Sequence, residues 1–148
     1  MTGYAELAVT SNFSFLRGAS HPEEHATQAA ALGLAGLGIA DRNSVAGVVR
    51  AHSIAKEKGL RLGVGARLVF ADGVTPDILA YPSDAAAWSR LTRLLSIGKQ
   101  RAPKGECHLG VADLLEWQDG MNLIVMPPAV ADMAPDLLAR LREAAPER

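Results

Sequence analysis

Short apolar runs alternate with amphipathic stretches along the first half of the chain, and this alternation predicts strands and helices in turn. Ser20 and Glu23 form the S-x-x-E pattern that is typical of a capping box at the start of a helix. Gly33 and Gly59 stand where helices are expected to end. The predicted elements are a strand over Tyr4 to Val9, a helix from Ser20 to about Leu32, a buried strand over Leu37 to Ala40 and a helix over Val45 to Lys58.

The second half continues the alternation, and a turn signal at Ala71 to Gly73 predicts a hairpin between its two flanking strands. An amphipathic helix is predicted to follow and to end before Gly98. The other predicted elements are strands over Leu62 to Phe70, Asp77 to Tyr81 and Leu123 to Met126, a short helix over Val111 to Trp117, and a last helix from Pro135. This order predicts an α/β fold with a largely parallel sheet. A complete eight-fold barrel needs about 250 residues, so there is room for part of one or for a small open sheet.

The composition is that of a globular protein with a core, since 49% of the 148 residues are hydrophobic and 21% are charged. The formal net charge is -1, so a nucleic-acid site would have to be a local basic patch. Cys107 is the only cysteine, which excludes an internal disulfide and favours a reducing cytoplasm. No apolar run approaches the roughly 18 residues of a membrane span. We therefore expect a single cytoplasmic domain over residues 1–148, without membrane contact.

In α/β sheets of this kind, ligands gather at the carboxyl ends of the strands. Three segments are therefore candidates for a site: Thr10 to Ala19, Asp41 to Ser44 and the region around Arg67. Asp41 directly follows an apolar run, which places its carboxylate over the sheet. It could serve as a metal ligand or a base, or it could hold its own loop by hydrogen bonds while its neighbours cap the next helix.

The histidines and the cysteine give no ligand set at a supporting spacing. His21 and His25 are four residues apart, as in H-E-x-x-H zinc helices, but a proline stands where that motif has its glutamate. Cys107 and His108 are adjacent, with no further cysteine to complete a zinc site. We interpret all four, and His52 in the second predicted helix, as structural residues.

Three stretches taken together resemble a known family: TSNFSFLRGASHPEE, LGIADRNSVAGVVRAHSIAKEKGLRLGVGARL and AWSRLTRLLSIGK. They resemble the PHP (polymerase and histidinol phosphatase) domain, in the version at the N-terminus of bacterial C-family DNA polymerase III alpha subunits, above all the error-prone ones. The frameworks S-x-x-S-x-x-x-G and apolar-A-D-R-N-S-x-A-G are fairly specific as a pair. The resemblance implies a partial PHP-type (β/α) barrel, in which residues 1–128 resemble the family and residues 129–148 form a terminal helix.

The resemblance also implies where a metal site would stand, and there the sequence departs from the family. Competent PHP domains carry His-x-His on the first strand, an acid in the following loop, Asp-His after the second strand, a glutamate on a third strand and a later cysteine. The corresponding positions hold Ala8 and Thr10, Arg17, Asp41 and Arg42, Arg67, and the neighbourhood of Pro127 and Pro128. Only Asp41 remains of the ligand set, and one acid cannot hold a metal cluster. We therefore predict no catalytic residue, no bound metal and no cofactor.

Three arginines replace the lost ligands with fixed positive charge. We hypothesise that Arg17, Arg42 and Arg67 pair with Asp41 and fill the former metal cavity. A competing hypothesis is that the three arginines bind a phosphate of DNA or pyrophosphate. Both hypotheses predict that the three side chains converge, because buried guanidinium groups must be paired.

In function, the resemblance implies a structural or partner-docking domain of an error-prone, translesion DNA polymerase, a nucleotidyltransferase of DNA replication and repair. The implied partners are the rest of the alpha subunit and mutasome accessory proteins, with DNA contacted only through the parent enzyme. Family domains run longer than this chain, so we expect an unfinished barrel whose strand edges favour self-association. One alternative is a metal-dependent phosphoesterase or 3'-5' proofreading nuclease, which would require His21, His25, Asp77 or Cys107 to converge on Asp41. A second alternative is a stand-alone nucleic-acid-binding module.

Overall fold

The computed structural model describes residues 3–126 and 135–144 of the chain. The chain divides into two compact units, Met1–Arg67 and Leu68–Arg148. Both units contain helices and strands, so the fold is mixed α/β. Within the described ranges, none of the helices combines the length and the apolar character that crossing a bilayer requires.

The first unit contains two strand–helix repeats followed by a third strand. Its elements are β1 (Ala5–Val9), α1 (Pro22–Ala31), β2 (Gly36–Arg42), α2 (Val48–Lys58) and β3 (Leu62–Leu68). The strands pair in parallel, β1 with β2 and β2 with β3, as the sequence predicts. Parallel pairing brings the carboxyl ends of the three strands to the same edge of the sheet, where ligands gather in such folds.

The core of the first unit lies between this sheet and its two helices. The strands contribute the buried residues Val9, Leu37 and Ile39, and the helices contribute the buried alanines Ala26, Ala29 and Ala51, with Ile54 of α2 partly buried against them. The small alanine side chains let the helix backbones approach the sheet closely, which fixes the helices against it. β2 is buried along nearly its whole length, as expected for a central parallel strand covered on both faces.

The first helix begins one residue later than its predicted capping pair. His21 is the N-cap, and its backbone N–H donates to the Glu24 carboxylate at 2.7 Å. The prediction of a capping box from Ser20 to Glu23 is therefore wrong by one position. The shift follows from Pro22, which takes the first helical position, where its missing N–H is not needed.

The second helix begins at Val48 rather than at Val45, because β2 extends further than its apolar run. Arg42 still belongs to β2 and lies opposite Arg67 of β3. Asn43 then adopts a left-handed conformation with φ of 47°, and Gly47 is an N-cap without a side-chain bond. The expectation that Asp41 to Ser44 caps this helix is therefore wrong, whereas its predicted end before Gly59 is confirmed.

The second unit begins with a strand and then contains two helices before its next strand. Its elements are β4 (Ile78–Pro82), α3 (Ala85–Arg101), α4 (Val111–Trp117), β5 (Met121–Val125) and α5 (Pro135–Ala144). β4 and β5 pair antiparallel, with Ile78 opposite Val125 and Pro82 opposite Met121. The strand pairing of the protein is thus mixed, and the prediction of a largely parallel sheet is wrong. The connection between β4 and β5 contains two helices instead of the single crossover helix of a parallel βαβ unit.

The longest of the described helices, α3, contains a glycine at which the sequence pattern predicts the end of the helix. The helix continues through Gly98 to Arg101. A Cβ atom at position 98 would lie 2.6 Å from Leu109 Cδ2 and 2.7 Å from Cys107 Sγ. Gly98 is therefore explained by the close packing of the following loop against the helix, and not by helix termination.

An ion pair joins α3 to the start of α4. Arg101 donates to both oxygens of Asp113, at 2.7 and 2.8 Å, and one of these oxygens also accepts from the Gly110 N–H at 2.8 Å. These bonds hold the pKa of Asp113 below its ordinary value, with the Arg101 bond as the largest cause. Asp113 is therefore expected to be ionised in the folded state at lower pH than in the unfolded state.

Replacing Asp113 by asparagine is expected to lower the free energy of unfolding by about 1 kcal/mol at pH 7, because a helix-capping acceptor and an ion pair are weakened together. A pKa that is depressed in the folded state contributes stability above the unfolded pKa, and this contribution is lost as the pH falls through the folded pKa. The two proteins should therefore converge as the pH falls from about 4 towards 2. Urea unfolding of both proteins at the two ends of this pH range measures the difference between their free energies of unfolding. A difference that does not change with pH would contradict the electrostatic explanation.

Candidate functional site

The candidate site lies in the first unit, at the edge where β1 and β2 end. Asp41, near the end of β2, has no solvent-exposed surface. Its Oδ1 accepts from the Ser11 backbone N–H at 2.8 Å and from the Ser14 hydroxyl at 2.7 Å, and its Oδ2 accepts from the Ser11 hydroxyl at 2.8 Å. Both carboxylate oxygens are thus held by two buried serines of the segment that follows β1.

The two serines also organise their own loop, which runs over residues 10–19. The Ser14 N–H donates to the Ser11 carbonyl at 3.0 Å, and the Ser14 carbonyl accepts from the N–H groups of Arg17 and Gly18 at 2.9 and 3.1 Å. The Ser14 hydroxyl additionally accepts from the Arg42 backbone N–H at 2.9 Å. Ser14 therefore links the loop to β2 twice, once through the carboxylate of Asp41 and once through the backbone of the next residue.

Two glycines allow this network to close. A Cβ atom at Gly18 would lie 2.3 Å from the Ser11 carbonyl oxygen and 2.6 Å from that of Thr10. At Gly47 a Cβ atom would lie 3.0 Å from Asp41 Oδ2 and 3.3 Å from Ser11 Oγ. Backbone and network thus approach each other so closely that little space is left around the Asp41 carboxylate.

The arginines do not join Asp41 in this network. Serine donors rather than guanidinium groups satisfy its carboxylate, so the hypothesis that Arg17, Arg42 and Arg67 neutralise it is not supported by its hydrogen bonds. Arg42 and Arg67 lie opposite each other on β2 and β3 and are half-buried, whereas Arg17 is exposed on the loop. Whether these arginines bind a phosphate stays a prediction.

Two further positions, at which the resemblance implies metal ligands of the family, lie at the end of β1, and their assignment stays a prediction. Ala8 and Thr10 are half-buried at the end of β1, and the Ala8 N–H donates to Glu6 Oε1 at 2.9 Å. Neither side chain is a strong metal ligand. The positions Pro127 and Pro128 lie outside the described residues, as do residues 129–134 and 145–148 of the predicted terminal helix.

Two of the four histidines, His21 and His108, and the cysteine have local partners, whereas the buried Nε2 of His25 has none among the described residues. His21 Nδ1 lies 3.0 Å from Asn12 Nδ2, and His108 Nε2 lies 3.1 Å from Glu106 Oε2. Burial raises the pKa of the Cys107 thiol, which makes it a weaker nucleophile and metal ligand. Among the residues that the structure describes, no three His, Cys, Asp or Glu side chains are grouped as a metal site would require.

Comparison with known proteins finds a protein family and several related proteins that match this chain. A model of the PHP domain matches residues 6–144. The error-prone DNA polymerase of Rhodopseudomonas palustris (strain BisB5) is 60% identical over 129 residues, which is 84% of this chain and 12% of the relative. The enzyme of the same name from strain BisA53 is 66% identical over 115 residues, covering 75% of this chain and 10% of the relative.

A third error-prone DNA polymerase, from Sinorhizobium medicae (strain WSM419), aligns along almost the whole chain. It is 54% identical over 150 residues, covering 99% of this chain and 13% of the relative. This chain therefore spans only about an eighth of the length of such curated relatives.

Two solved structures share the fold at low sequence identity. An amidohydrolase from Chromobacterium violaceum has a TM-score of 0.65 at 18% identity, covering 95% of this chain and 74% of that one. A protein from Bifidobacterium adolescentis, provisionally named a metal-dependent phosphoesterase, has a TM-score of 0.55 at 23% identity, covering 97% of this chain and 45% of that one. At these identities the likeness concerns the fold alone.

Proposed function

The chain belongs to the PHP domain family, and we propose that it serves as a catalytically degenerate PHP domain with a structural, partner-docking role in an error-prone DNA polymerase. The support for the polymerase context is the identity of 54% to 66% with error-prone DNA polymerases. In this proposal residues 1–148 form one PHP-like domain with a partial barrel, located in the cytoplasm. The polymerase as a whole would carry out translesion synthesis in DNA repair and replication as a nucleotidyltransferase.

The observation that carries the degenerate role is the set of three hydrogen bonds at the Asp41 carboxylate. A metal ion binds through the lone pairs of its ligands, and at Asp41 buried serine donors at 2.7 to 2.8 Å already occupy three of the carboxylate's roughly four lone-pair sites. The other positions at which the resemblance implies the family's ligands hold alanine, threonine and three arginines, and none of these side chains is a strong metal ligand. The residues present therefore do not fit the metal cluster of the family, and the proposed role involves no metal-dependent catalytic step.

What the network does instead is to hold one loop rigidly on the sheet. Ser11, Ser14 and Asp41 are all buried, and their bonds join segments about 30 residues apart in the chain. Buried polar networks that are fully satisfied fix a single conformation. A fixed loop beside the strand ends suits a surface that other protein segments recognise, which in the polymerase would be the rest of the alpha subunit or accessory proteins of the mutasome.

The test of this proposal is elemental analysis of protein purified without chelator, paired with a nuclease assay on single-stranded DNA in manganese. We expect less than stoichiometric zinc, manganese or iron, and no cleavage above that of a control sample of the same protein in excess EDTA. A stoichiometric metal together with cleavage that the control lacks would overturn the proposal in favour of a metal-dependent phosphoesterase or a 3'-5' nuclease. Salt-dependent DNA binding that Arg42→Ala abolishes would instead favour a nucleic-acid-binding module.

A further inference from the structure

The loop that Asp41 anchors carries an exposed apolar tip, which we define as Phe13, Phe15 and Leu16. The exposed fractions of these residues are 40%, 85% and 84%. Three large apolar side chains within four residues are unusual on a protein surface unless the surface meets a partner. The base of the same loop is buried through Ser11 and Ser14, so the exposure of the tip does not result from a loose segment.

The backbone of the tip is strained as well as exposed. Leu16 has φ of 59°, a left-handed conformation that costs free energy for a residue with a Cβ atom and suits glycine or asparagine better. The hydrogen bonds of Arg17 and Gly18 to the Ser14 carbonyl hold the chain in this turn. The loop thus presents an apolar leucine at a position where a polar residue would relieve strain and improve solubility together. Strain of this kind is characteristic of binding sites.

We propose that the apolar tip docks into an apolar pocket on the part of the polymerase chain that lies outside this segment. This inference rests on the proposed function, since the relatives carry about seven eighths of their length beyond the matched region. A rigid, prearranged tip loses little conformational entropy on docking. Two or three buried side chains can therefore contribute substantially to the free energy of binding. Arg17, exposed directly after the tip, indicates that the rim of the pocket is acidic.

DNA is a poorer occupant for this surface. Stacking on successive bases requires several free aromatic faces, but the guanidinium of Arg50 already lies 5.8 Å from the centre of the Phe13 ring, which leaves Phe15 as the single ring of the tip to stack on. Arg50 in turn pairs with Glu23 at 3.4 Å, which offsets its charge towards phosphates. Leu16 cannot stack, although it is among the most exposed members of the tip. The surface therefore fits an apolar protein pocket better than a nucleic acid.

The first experiment replaces the matching segment of the Sinorhizobium medicae polymerase by this chain, with the photo-reactive residue p-benzoylphenylalanine at position 15. After irradiation in the absence and presence of primer–template DNA, peptide mass spectrometry locates the cross-link. We expect it in the polymerase sequence beyond this segment, in both conditions. A cross-link to DNA, to a second copy of the chain or to nothing at all, in a chimera that extends primers normally, would overturn the docking inference alone. If the chimera extends no primer while the parental enzyme does, the proposed function fails, and the inference fails with it.

A second experiment compares Leu16→Asn in two contexts. In the 148-residue chain alone we expect Tm to rise by a few degrees, because asparagine tolerates the left-handed turn. In the chimeric polymerase we expect the substitution to lower Tm and to reduce the cross-link yield at position 15 by about tenfold or more. Leu32→Asn is the matched control, since Leu32 is 65% exposed in the same unit but lies outside the tip. Equal effects of Leu16→Asn in both contexts would contradict docking.

Discussion

Replacing Asp41 by alanine is expected to lower the free energy of unfolding by about 3 to 5 kcal/mol, a large share of the 5 to 15 kcal/mol typical of a domain. The substitution removes the acceptor of the Ser11 N–H and of the Ser11 and Ser14 hydroxyls, all within a fully buried site. Each donor left without a partner costs about 1 to 3 kcal/mol when water cannot reach it. Urea unfolding followed by circular dichroism measures the loss, and partial unfolding without denaturant is within the expected range.

Asp72→Ala is the matched control for this substitution. The Asp72 carboxylate also accepts three hydrogen bonds, from the N–H groups of Val74 and Thr75 and from the Thr75 hydroxyl, but it lies in an exposed turn. Water can replace the lost acceptor there, so we expect a cost below about 1 kcal/mol. The comparison therefore separates the effect of burial from the number of bonds. An Asp41→Ala protein as stable as Asp72→Ala, or more stable than the original, would indicate a strained functional acid instead of a structural one.

The position of Asp41 could be predicted from the sequence, but its partners could not. An acid directly after an apolar run identifies the end of a parallel strand, and the structure places Asp41 there. The sequence leaves open whether such an acid binds a metal or holds its own loop. The carboxylate in fact binds Ser11 and Ser14, about 30 residues earlier, and such a pairing depends on the register of β1 against β2. No local pattern contains that register.

One signal for these partners was nevertheless present in the sequence. The framework S-x-x-S-x-x-x-G consists of Ser11, Ser14 and Gly18, the two serines that bind Asp41 and the glycine that packs on Ser11. As a motif it supports only a family resemblance. The folded loop explains each residue of the motif: the two serines donate hydrogen bonds to Asp41, and the glycine leaves room for the Ser11 carbonyl.

The errors in the fold have a common cause, which is that contacts distant in sequence override local signals. Gly98 lies inside α3 because the loop after the helix needs the space, although glycine usually ends a helix. β2 continues to Arg42 because β3 offers a partner at Arg67, although the apolar run has ended. The apolar run of β5 likewise cannot indicate that its partner β4 runs antiparallel. Element types were therefore predictable, whereas boundaries and strand directions depended on the tertiary fold.

Gly18→Ala is expected to cost about 3 kcal/mol or more, although it adds a single methyl group. The added Cβ atom would lie 2.3 Å from the Ser11 carbonyl oxygen and 2.6 Å from the Ser11 carbonyl carbon, and these are backbone atoms that cannot turn aside. Either the loop moves away from β1 or the serines leave Asp41, and both outcomes break buried hydrogen bonds. Gly110→Ala is the control, because a Cβ atom there first meets Asp113 Oδ2 at an ordinary 3.5 Å, and we expect less than about 1 kcal/mol.

The double variant Gly18→Ala with Ser14→Ala tests whether the glycine and the network act as one unit. Gly18 donates its N–H to the Ser14 carbonyl, and the Ser14 hydroxyl donates to Asp41, so the first substitution should already displace what the second removes. We therefore expect the loss of stability in the double variant to be smaller than the sum of the two single losses, by about 1 kcal/mol or more. Additive losses would mean that the loop base can adapt around Asp41. Such a base could also open to admit a ligand, and the case for a structurally closed, metal-free site would then be weakened.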